Sequence, residues 1–394
     1  MNIIIFEDSN VKKLEPFSIN HASFEIKCGV YSNLERITDC FNKKDNFYLI
    51  VRDELKDLIQ ERFPKYIINP VNIPEGLCLN GSVVWSSKLL KKIQKDVSFS
   101  LNGELVSYNN SKKINFKDFQ KTIDKIKNIS DDIDINYISY QWDCIDLFKS
   151  VMELDKLKFK DNKSTINKDI VWQNNSKNIF THKSTIIEPG CFLDASCGPI
   201  ILSKNTLIKS GSVLRGPIFI DEKSIINEGS KIKGNVLIGP NCKIGGEVSS
   251  SIFHGYSNKA HDGFIGDSYI GEWVNLGANT NNSNLKNNYG QIKFRLTTDY
   301  INTKRIFLGA MIGDFTRTGI STMINTGSFI GLGCNIYGSE FQSKHIKSFA
   351  WGKDSKVDFD KFINTIKIMK KRRLLALSNV EINFLKSIYQ KYEI

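Results

Sequence analysis

The most regular feature of the sequence is an aliphatic residue at every sixth position in its second half. The ladder first runs through Leu202, Ile208, Leu214, Ile220, Ile226, Ile232, Ile238 and Ile244, with Gly, Ser, Lys, Asn and Asp at most positions between. Neither the helical period of about 3.6 residues nor the strand period of about 2 produces this spacing. It is typical of a repeat of one short strand and one turn, and three such units make one coil of a parallel β-helix.

The ladder loses its frame after Ile244 and regains it at Phe264, Ile270 and Leu276. After a polar stretch it resumes at Ile306, Ile312, Thr318, Ile324, Ile330 and Ile336. Residues that leave the frame of a solenoid usually form loops on one face, where such scaffolds tend to carry their chemistry. We therefore expect residues 247–263, which contain His254 and His261, to form a functional loop.

The first 157 residues have a different pattern, in which strand and helix signals alternate. Apolar runs predict strands at 2–6 and 47–51, helical spacing predicts helices at 53–63, 116–126 and 137–157, and Asn102-Gly103 predicts a hairpin turn. Ser32 and Glu35 form a capping-box signature at the start of a helix that extends to about residue 41. This alternation predicts an α/β layer with a mostly parallel sheet.

Helical spacing returns behind the ladder, at 359–369 and after a second capping-box signature at Ser378 and Glu381. These helices are expected to cap the open end of the solenoid. The basic run Lys370–Arg373 between them is either a solvated face or a contact for the phosphates of a nucleotide-like ligand. The predicted domains are an α/β domain (1–157), a polar linker (158–180), a β-helix (181–345) and a helical cap (346–394).

Composition and charge narrow the class of protein. The chain of 394 residues is 41% hydrophobic and 24% charged, which is ordinary for a soluble protein of two or three domains. It has no long apolar run and no signal-peptide pattern, so we expect a cytoplasmic protein without membrane insertion. The eight cysteines lack metal-ligand spacing, which predicts free thiols and no metal site. The net charge of +12 suits anionic partners, but no nucleic-acid-binding signature is present, and we expect no nucleic-acid partner.

Three short motifs follow one another in the interrupted part of the ladder. They are Lys259-Ala-His-Asp-Gly-Phe-Ile-Gly-Asp267, Val274-Asn-Leu-Gly-Ala-Asn-Thr280 and Asn287-Asn-Tyr-Gly290. In this order they resemble the acetyltransferase half of the bifunctional N-acetylglucosamine-1-phosphate uridylyltransferase/glucosamine-1-phosphate acetyltransferase family. The whole chain is similar to bacterial sugar nucleotidyl transferases that fuse a divergent nucleotidyltransferase-like domain to the same solenoid. The resemblance implies a left-handed β-helix, acetyl-CoA as co-substrate and a homotrimer.

Acetyl transfer to an amine needs a base that takes the proton of the attacking nitrogen. Histidine suits this task because its ordinary pKa lies near neutral pH, and the motif match points to His261. The resemblance also implies that Glu247 orients the His261 ring. It places substrate contacts at Asn275, Asn288, Tyr289 and Lys293, and Lys231 or Lys233 stands where the family has an arginine. Small residues of the later coils, among them Ala310, Ser321 and Thr322, either leave room for the pantetheine arm of acetyl-CoA or form tight turns of the β-helix.

Departures from the family pattern leave the acceptor open. Phe264 stands where the family has a tyrosine, and Ser249-Ser-Ser251 stands where a phosphate-binding lysine is expected. The segment Ile5–Asn10 has no glycine, whereas ordinary sugar nucleotidyltransferases have a glycine-rich loop there that lets backbone amides approach the phosphates. Lys27 stands where the divergent relatives have an arginine, so it can still bind a phosphate as a point charge but without a bidentate grip. Asn80-Gly81 fits a family motif that faces the sugar or the base. Magnesium is expected only if this domain is active.

These features predict an acetyltransferase that acts on an amino-sugar phosphate or a nucleotide-linked amino sugar, with sugar-1-phosphate nucleotidylyl transfer as an open second activity. One alternative is a nucleotidylyltransferase whose β-helix only trimerises it, and another is a non-catalytic scaffold. The presence of His261, Asn275, Asn288 and Tyr289 together argues against the scaffold. The missing glycine-rich loop argues against the nucleotidylyltransferase.

Overall fold

The computed structural model describes residues 1–93, 98–101, 103–126, 135–159, 166–296 and 299–392. They form two compact units. The first unit comprises Met1–Leu14, Asn20–Tyr140 and Ser378–Ser387. The second comprises Glu15–Ile19, Gln141–Leu377 and the residues from Ile388 onward. No helix among the described residues is both long enough and apolar enough to cross a membrane.

The first unit is an α/β layer built on a six-stranded sheet. Its strands are β1 (Asn2–Phe6), β2 (Lys27–Cys28), β3 (Tyr31–Ser32), β4 (Asn46–Ile50), β5 (Ile67–Ile68), β6 (Asn72–Ile73), β7 (Gly76–Asn80), β8 (Phe99–Leu101), β9 (Glu104–Asn110) and β10 (Ile114–Asn115). Its helices are α1 (Asn33–Asp39), α2 (Lys56–Arg62), α3 (Ser87–Lys92) and α4 (Phe116–Ile123). The sheet order is β5-β4-β1-β7-β9-β8, in which the first four strands are parallel and the last two are antiparallel.

Several local predictions for this unit are confirmed. The Ser32 hydroxyl accepts from the Glu35 amide, and the Glu35 side chain accepts from the Ser32 amide, so the capping box starts α1 as predicted. Strands β8 and β9 form the predicted hairpin, although Asn102 of its turn lies outside the described residues. The mostly parallel sheet fits the alternating pattern of the sequence.

The second unit is a parallel β-helix whose strands form three faces. Face 1 contains β12 (Ile179–Thr181), β15 (Ile200–Leu202), β18 (Ile218–Ile220), β21 (Val236–Ile238), β24 (Ile252–Gly255), β27 (Tyr269–Glu272), β31 (Ala310–Ile312), β34 (Ser328–Ile330) and β36 (His345–Ile346). Face 2 contains β13 (Ile186–Ile187), β16 (Leu207–Ile208), β19 (Ile225–Ile226), β22 (Lys243–Ile244), β25 (Asn258–Lys259), β32 (Arg317–Thr318), β35 (Asn335–Ile336), β37 (Ala350–Trp351) and β38 (Ser355–Lys356). Face 3 contains β11 (Trp172–Asn174), β14 (Phe192–Asp194), β17 (Val213–Arg215), β20 (Lys231–Lys233), β23 (Glu247–Ser249), β26 (Phe264–Gly266), β28 (Asn281–Asn282) and β33 (Met323–Ile324).

Besides these strands, the described residues after 140 form a short hairpin and three α-helices. The hairpin consists of β29 (Lys293–Arg295) and β30 (Tyr300–Asn302). The helices are α5 (Asp143–Asp155), α6 (Phe359–Lys371) and α7 (Asn379–Lys391). Strand β11 begins at Trp172, within the stretch predicted as a linker, and residues 160–165 of that stretch lie outside the described residues. The domain boundaries stay predictions.

The predicted ladder forms the core of the β-helix. Each of the eight aliphatic residues from Leu202 to Ile244 is at most 1% exposed, and all eight belong to one continuous core cluster. The predicted ladder positions from Ile312 to Ile336 are also buried. The predicted position before them, Ile306, is not part of the ladder, because it is 46% exposed and precedes the coil. The predicted fold class is confirmed: an α/β nucleotidyltransferase-like domain, a left-handed parallel β-helix and C-terminal helices.

The prediction that residues 247–263 form a loop is wrong. This stretch contains β23, β24 and β25, so the coils continue through it. Gly245 and Gly246 join β22 to β23 with two residues, where the preceding coil uses four. By strand register, the corner between β23 and β24 is also one residue shorter than the corresponding corner of the preceding coil. Ile244 therefore pairs with Lys259, 15 positions later, whereas Ile226 pairs with Ile244, 18 positions later. The frame shifted because corners shortened, and Ile265 rather than Phe264 is the buried inward residue.

The corner between faces 1 and 2 carries a column of aromatic residues. Tyr256, Trp273 and Phe315 occupy this corner in successive coils, Gly333 follows in the next coil, and Phe349 in the one after; the four aromatic residues have φ between 53° and 63°. The Phe362 ring of α6 packs edge-on against Phe315 and Phe349. At the other end of α6, Lys370 lies 5.8 Å from the Trp273 ring centroid. The Arg373 guanidinium donates to the Asn241 carbonyl at 3.4 Å. These contacts favour a packing role for this basic run.

Candidate functional site

The turn that contains His261 lies at the corner between faces 2 and 3, which we call the 2/3 edge. It connects β25 to β26, and each of its four carbonyls accepts a hydrogen bond. The donors are Asn227 Nδ2 to Ala260 (2.7 Å), Lys259 Nζ to His261 (2.8 Å), the Asn279 amide to Asp262 (2.9 Å) and the Glu247 amide to Gly263 (3.1 Å). The His261 side chain is exposed, and within the described ranges its ring makes no hydrogen bond. A fixed backbone therefore presents a free imidazole.

Lys259 fixes this turn from inside the β-helix. Its side chain occupies the inward position that Ile226 and Ile244 fill in the two preceding coils. It is 1% exposed, and its ammonium donates to the carbonyls of Gly245 (2.9 Å) and His261 (2.8 Å). Burial lowers the pKa of Lys259 to about 8, and Asp262 opposes this shift. Burying an amine costs free energy of folding unless the amine is well hydrogen-bonded. The two hydrogen bonds of Lys259 meet this need and fix the turn.

Glu247 lies next to this turn but does not hold the His261 ring. Its carboxylate accepts from Lys233 Nζ at 2.9 Å, and in the part of the chain that is described no hydrogen bond joins it to His261. The predicted orientation of the ring by Glu247 is therefore not formed. Glu247 is in register with Lys231 on one side and Phe264 on the other. Lys231 is thus one coil before Glu247 on face 3.

The other residues predicted for the β-helix fall at different places. Asn275 is exposed on face 2 and is in register with Asn258 and Arg317. Ser321 is exposed at the 2/3 edge and accepts from Asn279 Nδ2 at 3.2 Å. Thr322 is buried, and its hydroxyl donates to the Gly319 carbonyl at 2.9 Å.

Ala310 does not face a ligand groove. It is 1% exposed and belongs to the core cluster of the β-helix. Its backbone amide donates to the Ser268 hydroxyl at 2.9 Å. The prediction that Ala310 lines the acetyl-CoA arm is therefore wrong, because its side chain points into the core.

Asn288, Tyr289 and Lys293 lie on an excursion of the chain between β28 and β31. This excursion starts from the corner between faces 3 and 1, not from the 2/3 edge. The side-chain oxygen Oδ1 of Asn288 accepts from the Gly290 amide at 3.0 Å. Tyr289 is 71% exposed and has φ 54°. Within one chain, these three residues therefore leave the β-helix at a different corner from that of His261.

The residues predicted for the first unit lie near the carboxyl edge of its parallel strands. Asn80 ends β7 and is fully buried; its amide donates to Asp8 Oδ2 (2.7 Å) and the Leu105 carbonyl (2.8 Å). Gly81 is required by close packing, because a Cβ there would lie 2.8 Å from Ser23 Oγ. Lys27 is half-buried in β2. Asn80 is thus engaged inside the protein and does not face a sugar or a base as predicted.

The Asp8 carboxylate at this edge does not fit a magnesium ion. Asp8 follows β1, and its two oxygens accept from Asn80 Nδ2 (2.7 Å), the Tyr137 hydroxyl (2.7 Å) and the Asn10 amide (2.9 Å). Burial, together with the nearby Asp8, raises the pKa of Tyr137, so this hydroxyl stays a donor. Magnesium prefers carboxylate oxygens that are open to metal and water.

Lys259 is the residue that sequence reasoning missed. A signal for it exists, because Phe253, Lys259 and Ile265 repeat the step of six within the supposed interruption. All three are buried. A lysine at a core position of a ladder is easily mistaken for a break in the ladder.

Comparison with known proteins supports the resemblance to sugar nucleotidyl transferases in the N-terminal part of the chain. Residues 3–186 match the family described as sugar nucleotidyl transferase. The resemblance inferred from the sequence is confirmed. The bifunctional sugar-1-phosphate nucleotidylyltransferase/acetyltransferase of Sulfurisphaera tokodaii is 39% identical over 142 residues, which cover 36% of this chain and 35% of that protein.

Two further proteins are similar over part of the chain. The bifunctional protein GlmU of Methanocaldococcus jannaschii is 32% identical over 102 residues, which cover 26% of this chain and 25% of that protein. The chain therefore matches about a third of the length of these relatives or less. The solved UDP-N-acetylglucosamine acyltransferase from Campylobacter jejuni is 15% identical, with a TM-score of 0.20 over 54% of this chain and 91% of that chain.

Proposed function

We propose that this protein is an acetyl-CoA-dependent acetyltransferase that acts on an amino sugar carrying a phosphate or a nucleotide. The observation that carries the proposal is the turn 260–263, where four hydrogen-bonded carbonyls fix the backbone that carries an exposed imidazole at the 2/3 edge. Preorganised geometry of this kind is what general-base catalysis requires. The relatives named as nucleotidylyltransferase/acetyltransferase add support.

In the proposed reaction His261 accepts the proton of the acceptor amine. The amine nitrogen attacks the thioester carbonyl, the new C–N bond forms, and the C–S bond breaks with release of the thiol. Asn275 on face 2 orients the acceptor, and the exposed Ser321 flanks the donor arm at the 2/3 edge. Lys259 keeps the His261 backbone in place during this step.

The test is thiol release from acetyl-CoA against a panel of amino-sugar 1-phosphates and nucleotide-linked amino sugars. We expect His261→Ala to lower kcat by about a hundredfold or more, the usual size of a general-base contribution. His182→Ala is the matched control, because His182 belongs to an early coil and, among the described residues, its Nδ1 makes hydrogen bonds with the hydroxyl and amide of the neighbouring Ser184. Turnover that His261→Ala leaves unchanged, or no turnover on any acceptor, contradicts the proposal.

Nucleotidylyl transfer by the first unit is the second candidate, favoured by the family match over residues 3–186. It predicts pyrophosphate release from a nucleoside triphosphate and a sugar 1-phosphate, with no dependence on His261. Lys27→Met tests the proposed phosphate contact and is expected to abolish this release. The Asp8 carboxylate already accepts three hydrogen bonds, which argues against this activity. Absence of pyrophosphate release with every nucleoside triphosphate would contradict nucleotidylyl transfer.

A further inference from the structure

A row of residues on face 2 leads away from Asn275. Asn258, Asn275, Arg317, Asn335 and Trp351 are register partners in successive coils. Coils are stacked at roughly 4.8 Å, so the row from Asn275 to Trp351 spans roughly 14 Å. That length is comparable with a nucleoside diphosphate. The row therefore forms a path along the β-helix that starts at Asn275, the residue predicted to contact the acetyl acceptor.

This path ends in a cavity of about 440 Å³ between face 2 and α6. The volume lies within the range of small-molecule sites, roughly 300–1,000 Å³. Phe315, Phe362 and Val357 form apolar walls, and Trp351, which is 45% exposed, lies beside them. Rings and apolar walls of this kind suit the flat face of a base.

Arg317 is the half-buried cation in the lining of this cavity. Its side chain is half-buried, and its Nε is buried without a hydrogen-bond partner among the described residues. Burial lowers the pKa of Arg317 from its usual value, although the group stays charged. The Arg317 side chain lines the cavity, and a guanidinium that no carboxylate pairs with among the described residues is suited to bind a phosphate.

The other charged residues of the cavity are already engaged or lie at its rim. Lys356 Nζ donates to the carbonyls of Tyr389 and Tyr392. The Asp358 carboxylate accepts from the Lys361 amide at 2.9 Å and caps α6. The exposed Lys361 side chain adds a second cation at the mouth. Three cationic side chains against one carboxylate favour an anionic ligand.

We propose that the acceptor is a nucleotide-linked amino sugar and that this cavity holds its nucleoside diphosphate, with Arg317 on a phosphate and Trp351 against the base. The inference rests on the proposed function and narrows its acceptor class. The acetyl donor is the less suitable occupant, because Ser321 lies at the 2/3 edge whereas the cavity lies on face 2 beside α6.

The first experiment measures binding without turnover. UDP, GDP and dTDP are titrated by calorimetry into the full chain and into Arg317→Met, Arg317→Lys and Arg215→Met. We expect one or more of the nucleotides to bind, Arg317→Met to weaken binding by tenfold or more, and Arg317→Lys to restore part of it. Arg215 is an exposed arginine on face 3, so Arg215→Met should stay within twofold of wild type. A thermal unfolding midpoint close to wild type shows that each variant is folded.

Three results overturn the inference. They are no binding of any of the three nucleotides, binding that Arg317→Met leaves unchanged, and displacement of the nucleotide by coenzyme A, which would assign the cavity to the donor. The second experiment compares kcat/KM for a nucleotide-linked amino sugar and the same sugar 1-phosphate. We expect a preference of tenfold or more for the former in wild type and about twofold or less in Arg317→Met.

The two experiments separate this inference from the proposed function. Acetyl transfer to sugar 1-phosphates alone, without nucleotide binding, overturns the inference and leaves the proposed function standing. Nucleotide binding that depends on Arg317, without acetyl transfer to any acceptor, overturns the proposed function and the acceptor role while supporting a nucleotide site in the cavity.

Discussion

Lys259 places an ionisable group inside the β-helix, and its titration affects stability in a direction that follows from its pKa. The native pKa is about 8, against 10.5 for the unfolded group. Between these values the native state binds fewer protons than the unfolded state, so the free energy of unfolding rises with pH. From pH 7.5 to 9.5 this amounts to roughly 2 kcal/mol. Below about pH 7.5 the penalty for the buried charge is fully present.

The measurement is urea unfolding of wild type and Lys259→Met at both pH values. Methionine keeps a long apolar side chain and removes the amine. We expect wild type to gain roughly 2 kcal/mol relative to the variant between pH 7.5 and 9.5. Lys243→Met is the control, because Lys243 is exposed in the preceding strand of the same face. Equal pH dependence in wild type and Lys259→Met would show that Lys259 titrates normally.

The same variant tests whether Lys259 positions His261. Loss of the ammonium frees the His261 carbonyl, so we expect kcat to fall by about tenfold or more, while KM for acetyl-CoA stays within about twofold. A merely structural role would change the folded fraction instead of kcat per folded molecule. Steady-state kinetics with the folded fraction measured by circular dichroism decides between these two results.

Among the elements of the β-helix, the shortened corner at Gly245 and Gly246 is the one that shapes the site. Gly246 has φ 69°, and a Cβ there would lie 2.8 Å from both Lys259 Nζ and the Gly263 carbonyl oxygen. Gly229 occupies the same corner one coil earlier with φ 65°, and its Cβ would meet nothing within 4 Å. The two glycines therefore share their backbone conformation and differ in their surroundings.

This difference makes a matched pair of substitutions. Gly229→Ala should cost only the left-handed backbone penalty, about 1–2 kcal/mol. Gly246→Ala should cost about 1–3 kcal/mol more, because the new methyl group displaces Lys259 or the turn 260–263. It should also lower acetyl transfer, whereas Gly229→Ala should not. Chemical denaturation and the thiol-release assay measure both effects, and equal costs for the two variants would contradict this account of the corner.

The sequence predicted regular coils well and irregular ones poorly, for physical reasons. An aliphatic residue every six positions specifies the inward side chain of each strand, and Leu202 to Ile244 fill the core as expected. The shortened corner changes that count without breaking the strands, so residues 247–263 resembled a loop. The motif match located His261 at an exposed turn, but it could not show that the Glu247 carboxylate pairs with Lys233, since that contact depends on neighbouring coils. Asn288 and Tyr289 follow the motif order, yet the excursion carries them to another corner.

At the scale of the whole molecule, the homotrimer implied by the family resemblance stays a prediction. An exposed aliphatic residue lies at the 2/3 edge itself: Ile320 is 77% exposed between Gly319 and Ser321. An apolar side chain this exposed beside a proposed ligand site is a candidate for burial by a neighbouring chain. The proposed donor groove would then be completed by the neighbouring chain.

Light scattering coupled to size exclusion tests this assembly. We expect wild type at micromolar concentration to elute with about three times the chain mass of 44.8 kDa. Ile320→Lys should shift the population toward the single chain and raise KM for acetyl-CoA, because an unpaired charge at an apolar contact is costly. Val71→Lys is the control: Val71 is 75% exposed in the first unit, and its variant should keep the wild-type mass. A single-chain mass for wild type would remove the trimer, and an unchanged mass for Ile320→Lys would place the interface elsewhere.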